Sequence, residues 1–478
     1  MIATDPHFDK RTQEIVERYF DIPASEQGEL SEALQQIRLE GGEWLFHQND
    51  EADSFYILLR GRLQVWLEYA GKTPLPEPEL IGRVTPGDSV GELALLTRGN
   101  RSAGIRAVRD STLIRISRES FRQLSLKHPP LLMKLAERAA SLAQKAPQPG
   151  AGVTRNLSTI SILPLDDSPA QREFCKRLAS DFSRHGTIRW LDQATLASGG
   201  SPVSEIPSSG MMPDSLVNWV QHLEDTTRLL VFQCDSSASQ WTRFCLRQSD
   251  LVVLVASAGN DPACREWEFK LGLHNSDGTA RRMMVLLQPG AADEINNTRR
   301  WYQDRQLDFH LHARDGNQRD IERISRVLLG EATGLVLGAG ASRGFAHLGV
   351  IKALEAAGKP IDWIGGCSIG AIMATPVAMG LTADQGIRLL RKAFMRGKPF
   401  SDYTLPLISL LSGGRMQRLL RQHADVQIED LPIPFFCVSS SLDDGSVNVH
   451  QSGSLARALQ ATASMPGILP PTVVNGRL

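Results

Sequence analysis

The 478-residue sequence is poor in several features that would assign a protein class at once. Its six cysteines form no C-x-x-C motif, which indicates buried thiols in a reducing compartment rather than a disulfide framework. Basic and acidic residues number 52 and 53, so the net charge of −1 provides no basic field for nucleic acid. No apolar run reaches the roughly 18 residues of a membrane-spanning helix. The charged N-terminus also lacks the apolar segment of a secretory signal, so we expect a cytoplasmic protein whose membrane contact is at most peripheral.

A chain of this length is expected to hold two to four domains, and its residue pattern changes accordingly. Apolar residues at helical spacing, up to Leu34 and Ile37, predict N-terminal helices over residues 1–38. Short β-rich runs separated by turns follow, and with a trailing helix they predict a small barrel or jelly roll over residues 39–145. A Pro/Gly-rich linker at 146–152 closes this region.

The middle region, residues 153–330, alternates continuous apolar strands with helical patterns. Its strands at 159–163, 228–232, 251–255 and 283–287 predict a parallel sheet with covered faces, in a Rossmann-like α/β domain. No G-x-x-x-x-G-K-[ST] motif follows the first strand, so a phosphate-binding P-loop is not predicted. His310 and His312 lie two residues apart without Cys or carboxylate ligands at suitable spacing, so we interpret them as structural and predict no metal site.

Residues 91–103 of the barrel read GELALLTRGNRSA. This segment resembles the phosphate-binding cassette of cyclic nucleotide-binding domains, and residues 41–124 resemble the whole module. The resemblance implies a turn at Gly91, a ribose contact from Glu92, a short helix from Leu93, a phosphate contact from Arg101, and Ser102 beside it. Asn100 replaces the family's usual proline with the spacing unchanged. Cyclic AMP, cyclic GMP and a ligand-free structural barrel all remain open.

The C-terminal region begins with an apolar run, a glycine-rich turn and a helical pattern. A second apolar run then meets Gly366-Cys-Ser-Ile-Gly370 and a further helix. In this strand–turn–helix context, G-x-S-x-G predicts a nucleophile on a sharp turn, with the Ser368 hydroxyl above a helix N-terminus. The glycines Gly366 and Gly370 allow the sharp turn.

These motifs, together with residues 435–441 and 458–467, resemble the patatin-like phospholipase domain, and the chain as a whole resembles the neuropathy target esterase-like group. The resemblance implies a serine lipid-acyl hydrolase with a Ser–Asp dyad, an acyl-enzyme on Ser368 and no catalytic cofactor. It also implies an oxyanion loop braced by Arg343. The residues of that loop are Gly338, Gly340, Ala341, Ser342, Arg343 and Gly344. The expected fold class is multidomain α+β and α/β, ending in an incomplete patatin-like α/β domain at 333–478.

The C-terminal region departs from the family pattern in two ways. Ala339 and Ala341 stand where the family has glycine, so the loop either avoids positive φ there or is strained. The family's dyad aspartate is expected beyond Leu478, and a chain lacking it would be inactive. Asp443 and Asp444 match a turn rather than the dyad position, so neither is assigned the role.

The expected substrate is a phospholipid or lysophospholipid, met at a membrane surface, with the cyclic nucleotide as regulator. The apolar run 405–411 is interpreted as a buried helix, with an exposed membrane-touching loop as the alternative. Three other functions remain open: a non-catalytic nucleotide sensor, a scaffold, and a transcription regulator, for which a helix-turn-helix is missing. The sequence predicts neither the oligomeric state nor the lipid headgroup.

Overall fold

The structure is a computed structural model. It describes residues 14, 15, 19, 34–68, 79–92, 99–127, 133, 137, 157–198, 201–203, 214–274, 280–289 and 295–478. The predicted linker at 146–152 and most of the predicted N-terminal helices lie outside these residues. The chain divides into two compact units. One comprises residues 1–163, 186–253 and 266–282, and the other comprises residues 164–185, 254–265 and 283–478.

Sixteen strands are present in the described part of the chain. They are β1 (Leu34–Leu39), β2 (Trp44–Phe46), β3 (Ser54–Leu67), β4 (Glu79–Val84), β5 (Ser89–Val90), β6 (Gly104–Ser117), β7 (Thr159–Pro164), β8 (Ile188–Leu191), β9 (Leu229–Gln233), β10 (Leu251–Ser257), β11 (Arg281–Gln288), β12 (Phe309–Arg314), β13 (Gly334–Leu337), β14 (Trp363–Cys367), β15 (Phe435–Ser440) and β16 (Val447–His450).

The same residues form twelve α-helices and three 3₁₀ turns. The helices are α1 (Arg118–Lys127), α2 (Pro169–Phe182), α3 (Gln193–Ser198), α4 (Asp214–Thr226), α5 (Gln240–Gln248), α6 (Glu266–Lys270), α7 (Gln318–Leu328), α8 (Ala346–Ala356), α9 (Ile369–Ala378), α10 (Ala383–Gly397), α11 (Gly414–His423) and α12 (Leu455–Ala463). The 3₁₀ turns are Thr298–Tyr302, Ala341–Phe345 and Ile428–Asp430.

The first sheet is antiparallel and has the order β1-β6-β3-β4, with β2 on β6 and β5 on β3. Side chains point alternately to the two faces of each strand. In the long strands β3 and β6, side chains on both faces are buried. Phe55 and Ile57 pack with Phe121 of α1, whereas Tyr56 and Leu58 point into the other core cluster. Both faces of the β3–β6 pair are therefore covered, as in the predicted small barrel.

The predicted N-terminal helix is wrong for its last residues. Leu34 to Leu39 forms strand β1, which pairs antiparallel with β6 from Leu34↔Ile116 to Leu39↔Ser111. Leu34 and Ile37 are three residues apart and matched a helical pattern, but the unpaired edge of β6 supplies backbone partners that a helix would not use. Upstream, Ile15 and Tyr19 are helical and pack on the core of this sheet.

The middle sheet has the order β12-β11-β10-β7-β9-β8. The pairs β7–β9, β8–β9 and β11–β12 are parallel, and β7 and β10 are almost wholly buried. Continuous apolar strands of this kind need helices on both faces, which is the α/β arrangement predicted for this region.

The C-terminal sheet has the order β13-β14-β15-β16, with β13, β14 and β15 parallel and β16 antiparallel. Helices α8 to α12 surround it, and one apolar cluster runs from Leu337 through Met373 to Leu459. The predicted multidomain α+β and α/β fold class is confirmed. At the carboxyl ends of β13 and β14 the chain makes two sharp turns, and these turns form the candidate site.

Candidate active site and nucleotide site

Ser368 lies between β14 and α9 in a backbone conformation that few residues adopt. Its φ is 53° and its ψ is −126°. A non-glycine residue in such a region stores about 1–3 kcal/mol of strain, which persists only when the surroundings fix the conformation. The serine is half-buried, and its carbonyl oxygen accepts hydrogen bonds from Ala371 N–H (3.1 Å) and Ile372 N–H (3.3 Å). The strand therefore turns directly into the helix at Ser368.

The two flanking glycines are required by close backbone contacts rather than by positive φ. A Cβ on Gly366 would lie 2.5 Å from the Leu337 carbonyl oxygen. A Cβ on Gly370 would lie 2.2 Å from the same atom and 2.5 Å from the Gly338 carbonyl oxygen. Any side chain at either position would push the nucleophile turn away from the turn after β13. The two glycines thus bring the turns after β13 and β14 together.

The turn after β13 contains the predicted oxyanion loop. Gly340 is extended (φ 168°), but Ala341 has a φ of 48° at the start of the 3₁₀ turn. The alternative left open by the sequence is therefore resolved: the alanine at 341 is strained, and Ala339 is not in the positive-φ region. Gly344 is buried, and a Cβ there would lie 2.4 Å from Ile369, the residue after the nucleophile.

The loop is braced by a residue that the sequence interpretation did not single out. His347 Nε2 lies 2.9 Å from the Gly338 carbonyl oxygen. Arg343, predicted to brace the loop, is exposed and its side chain makes no hydrogen bond with any described residue. His347 follows the loop by one helical turn, a spacing that could have identified it. Ser342 is exposed on the same segment.

A second unpredicted residue contacts the nucleophile turn directly. The Ser368 N–H donates to Thr462 Oγ1 at 2.7 Å, and that hydroxyl donates to the Val438 carbonyl oxygen at 2.5 Å. Thr462 lies in α12, within the stretch 458–467 that carried the family resemblance without an assigned role.

Asp443 and Asp444 lie in the turn between β15 and β16 and are held by nearby groups. Asp443 Oδ2 accepts from the Leu478 N–H at 3.1 Å. Asp444 Oδ1 accepts from the backbone and hydroxyl of Ser446, and these bonds lower the pKa of Asp444 to about 2. Both carboxylates thus accept hydrogen bonds from groups of this turn or from Leu478, so the geometry provides no reason to assign either residue a catalytic role.

The interpretation of residues 405–411 as a buried helix is wrong. The segment is a loop closed by Thr404 N–H to the Leu410 carbonyl oxygen, at 3.0 Å. Leu405, Leu407 and Ile408 at its tip are 79%, 90% and 75% exposed. Pro406 lacks an N–H, and the N–H groups of Leu410 and Leu411 bond to residues 467 and 468 instead of to a helical turn. The exposed apolar loop, the alternative interpretation, is what forms.

An open apolar groove of about 360 Å³ lies between α8 and α10. It starts at Phe345, one residue after Gly344, which packs on Ile369. The Phe345 ring packs edge-to-face on the Phe394 ring, with 5.2 Å between the ring centres. Arg391 lies at the groove, is exposed, and makes no ion pair with any described residue. The residues that line the groove are Phe345, Leu348, Gly349, Ile387, Arg391, Phe394 and Met395.

In the barrel, the two charged side chains of the predicted nucleotide site are buried. Arg101 is 3% exposed, its guanidinium lies 4.1 Å from the Phe46 ring centre, and burial lowers its pKa. Its Nη1 donates to the Gly91 carbonyl oxygen at 3.3 Å, whereas its buried Nε has no partner. Gly91 has a φ of 88°, and a Cβ there would lie 2.3 Å from Arg101. A buried cation with one unpartnered N–H, beside a backbone turn without side chain, suits an anionic ligand.

Glu92 is also buried, and the Ser89 hydroxyl donates to it. Ser89 in turn accepts from the Tyr19 hydroxyl at 2.8 Å. Ser102 is exposed beside Arg101. Leu93, where the short helix was predicted to begin, lies outside the described residues.

His312 is buried and His310 is half-buried, and both nitrogens of each ring have a hydrogen-bond partner. Both Nε2 atoms contact the Glu429 carbonyl oxygen, at 2.7 and 3.0 Å. His310 Nδ1 pairs with the Tyr302 hydroxyl and His312 Nδ1 with the Gln288 amide. Burial lowers the pKa of His312 to about 3. All four ring nitrogens of the pair therefore contact protein groups.

Comparison with known proteins matches three family models along the chain. They are the cyclic nucleotide-binding domain at residues 36–128, the neuropathy target esterase family P-loop-like domain at 156–330, and patatin-like phospholipase at 335–478. The fold and the serine turn thus define a patatin-like protein joined to a cyclic nucleotide-binding module. All three models match in this order, which is the resemblance to the neuropathy target esterase-like group that the sequence motifs predicted.

Curated relatives align with most of this chain at moderate identity. "Lysophospholipase nte1" of Neosartorya fischeri is 30% identical over 93% of this chain, and "Neuropathy target esterase sws" of Drosophila melanogaster is 29% identical over 92%. The chain spans about a third of the length of these relatives, 34% and 33%. A solved cyclic nucleotide-binding domain from Methylobacillus flagellatus is 20% identical over 28% of this chain and 78% of its own, with a TM-score of 0.25. Among the described residues, the helices are too short or too polar to cross a bilayer.

Proposed function

We propose that the protein is a serine lipid-acyl hydrolase that cleaves lysophospholipids or phospholipids through an acyl-enzyme on Ser368. The observation that supports this most strongly is the strained turn at Ser368, held against the oxyanion loop by Gly366 and Gly370. A sharp strand-to-helix turn presents a serine hydroxyl to substrate above a helix N-terminus. The names of the curated relatives support the lipid substrate.

The chemistry follows from the two adjoining turns. Ser368 Oγ attacks the ester carbonyl carbon, its proton passes to a carboxylate base, and the carbonyl oxygen becomes an oxyanion. The first N–H groups of α9 and of the 3₁₀ turn at Ala341 lack helical acceptors, so they are available to stabilise that charge. Collapse of the intermediate breaks the bond to the leaving oxygen, which takes the proton back from the base and departs as the alcohol part of the lipid, leaving an acyl-serine. Water then attacks the acyl-serine and releases the fatty acid.

The groove between α8 and α10 is suited to the acyl chain of such a substrate. It is apolar, of a size usual for small-ligand sites, and starts beside the residue that packs on Ile369. The exposed guanidinium of Arg391 would meet an anionic phosphate. A lipid with one acyl chain and one phosphate would match both the apolar groove and the cationic side chain beside it.

The exposed loop 404–410 is proposed to contact the membrane. Three large apolar side chains at its tip are expensive to leave in water, and inserting them into a bilayer removes that cost. Residues 385–424 also contain eight Lys or Arg and one Asp, which favours an anionic surface. Binding to phosphatidylglycerol vesicles should drop in Leu407→Ser, but not in Leu126→Ser, an exposed leucine in α1.

The barrel is proposed to bind a cyclic nucleotide that regulates hydrolysis, with Arg101 on the phosphate and Glu92 on the ribose. The unpartnered Nε of Arg101 and the bare turn at Gly91 support an anionic ligand. We also propose the domain limits 39–145, 153–330 and 333–478. The six free cysteines support a reducing, cytoplasmic location.

Fatty-acid release from lysophosphatidylcholine by the full-length protein tests the proposed reaction. Wild type should release fatty acid, and Ser368→Ala should reduce the rate by several orders of magnitude. Equal rates in the two proteins would refute the assignment of Ser368. An inactive wild type that still binds cyclic nucleotide would favour the alternative, a non-catalytic nucleotide sensor.

A further inference from the structure

The hydroxyl of Thr462 lies between the nucleophile turn and the neighbouring strand β15. It accepts the Ser368 N–H at 2.7 Å and donates to the Val438 carbonyl oxygen at 2.5 Å. Its oxygen is also 4.0 Å from the sulfur of Cys367, the last residue of β14. Thr462 is half-buried in the last turn of α12, whose Leu455 and Leu459 pack into the apolar core. The helix therefore fixes where this hydroxyl lies.

The Thr462 hydroxyl lies where the β14–β15 pair would otherwise form one more backbone hydrogen bond. The two strands are parallel, with Ile364 opposite Phe435 and Cys367 opposite Val438. At the start of the pair, the Ile364 N–H donates to the Pro434 carbonyl oxygen, at 3.0 Å. Bonds in a parallel ladder recur every second residue. The regular bond four residues later would join the Ser368 N–H to the Val438 carbonyl oxygen, and Thr462 Oγ1 bridges these two groups.

A bridging hydroxyl changes what the end of β14 can do. It satisfies both backbone groups, which would each cost about 1–3 kcal/mol if left buried without a partner. It also spaces Ser368 away from β15, so the chain can leave the sheet in its strained conformation without losing the hydrogen bond. Because the Ser368 N–H is occupied, the oxyanion must be bound by other donors, those of the α9 N-terminus and of the loop at 340–344.

We propose that Thr462 is a positioning residue that holds the Ser368 turn in its reactive conformation by replacing one bond of the sheet. The proposal rests on the proposed serine hydrolase function. Since Thr462 contacts the backbone of the nucleophile and no substrate, its loss should act on reaction rate rather than on substrate binding.

Thr462→Val, which keeps the shape and removes the hydroxyl, tests the proposal in the full-length protein. Both kcat for a soluble ester and the rate of labelling by a fluorophosphonate should fall about 10- to 100-fold, while KM changes less than about twofold. Thr462→Ser restores the hydroxyl and should recover most of the rate. Thr375→Val is the matched control, because the Thr375 hydroxyl is buried nearby but donates to the Ala371 carbonyl within α9.

Hydrogen exchange of the peptide covering the Ser368 turn gives a readout independent of activity. Exchange should quicken in Thr462→Val and stay at the wild-type rate in Thr462→Ser and Thr375→Val. Unchanged labelling and unchanged exchange in Thr462→Val would overturn the proposal. If wild type is not labelled but exchange responds as expected, the hydrolase function fails while the positioning role stands. If Thr462→Val unfolds, Thr462→Cys replaces it and should show intermediate exchange; a wild-type rate there would contradict the proposal.

Discussion

The nucleotide site and the nucleophile site hold their key residues by different means. In the barrel, Arg101 and Glu92 are buried side chains in the connection between strands β5 and β6, one stacked on Phe46 and the other bonded to Ser89. At the C-terminal sheet, Ser368 and Ala341 are held in strained backbone conformations after the ends of two parallel strands. The nucleotide site depends on the side chains that are present. The serine turn depends on the absence of a side chain at Gly366 and Gly370.

The difference predicts where each site is sensitive to substitution. Ligand entry into the barrel requires side chains to exchange partners, so changes there alter affinity and leave the backbone in place. The serine turn tolerates no added atoms at its glycines, so changes there distort the geometry of the reaction itself. Four predictions follow from this contrast, and they are ordered by the size of the expected effect.

Adding a single carbon at Gly370 should give the largest effect. The Cβ of Gly370→Ala would lie within 2.5 Å of two backbone carbonyl oxygens and must separate the oxyanion loop from the nucleophile. Fluorophosphonate labelling should slow by about 100-fold or more. Gly349→Ala on α8 is the control, since a Cβ there meets nothing within 4 Å, and it should label normally.

Removing the buried arginine should weaken nucleotide binding and leave labelling unchanged. Arg101→Ala should raise the Kd of the bound cyclic nucleotide about 10- to 100-fold, the usual worth of charge-assisted hydrogen bonds. Isothermal calorimetry with cyclic AMP and cyclic GMP measures it, with exposed Arg122→Ala as the charge-matched control. An unaltered Kd, or no heat with wild type, would mean that the barrel is structural.

The burial of His312 should make the stability of the compact unit that contains residues 283–478 depend on pH. The folded pKa of His312 is about 3, below the ordinary value of 6.5, because burial disfavours the charged ring. The unfolded chain therefore binds more protons between pH 6.5 and 3, and the unfolding free energy falls as the pH falls, by up to about 1.4 kcal/mol per unit. His312→Gln should flatten this slope in urea titrations between pH 6.5 and 4.5. His423→Gln, at the end of α11, should retain it; equal slopes in wild type and His312→Gln would contradict the assignment.

Filling the apolar groove should give the smallest effect, limited to long substrates. Gly349→Leu places a side chain where the structure leaves open space, so the fold should persist. The KM for a long-chain lysophospholipid should rise several-fold, while turnover of a short-chain ester stays near that of Gly349→Ala. An equal effect on both substrates would place the acyl chain elsewhere.

The sequence predicted the structure best where a local residue pattern is compatible with only one local conformation. Alternation of apolar residues predicted the long barrel strands, and G-x-S-x-G between a strand and a helix predicted the turn at Ser368. The segment at Leu34 and Ile37 was misassigned because its spacing fits a helix, whereas its partner strand lies about 80 residues away in the sequence. Thr462 was missed for a similar reason, since the two groups that it bridges lie on distant strands.

The apolar loop at Leu405 to Leu411 shows another limit of pattern reading. Burial is the usual fate of such a run, and composition alone cannot reveal that its N–H groups bond to the chain at 467 and 468. The sequence predicted backbone strain in the oxyanion loop only as one of two alternatives, because alanine stands at 339 and 341. The backbone angles show that Ala341 has positive φ and that Ala339 does not.

The most direct test of the central claim, that the strained turn at Ser368 carries the nucleophile, is site mapping of a fluorophosphonate adduct. The full-length protein would be labelled, digested and sequenced by mass spectrometry, alongside Ser368→Ala and Ser342→Ala. We expect the adduct on Ser368 alone, absent from Ser368→Ala and retained in Ser342→Ala. An adduct on another serine, or one that survives in Ser368→Ala, would contradict the account.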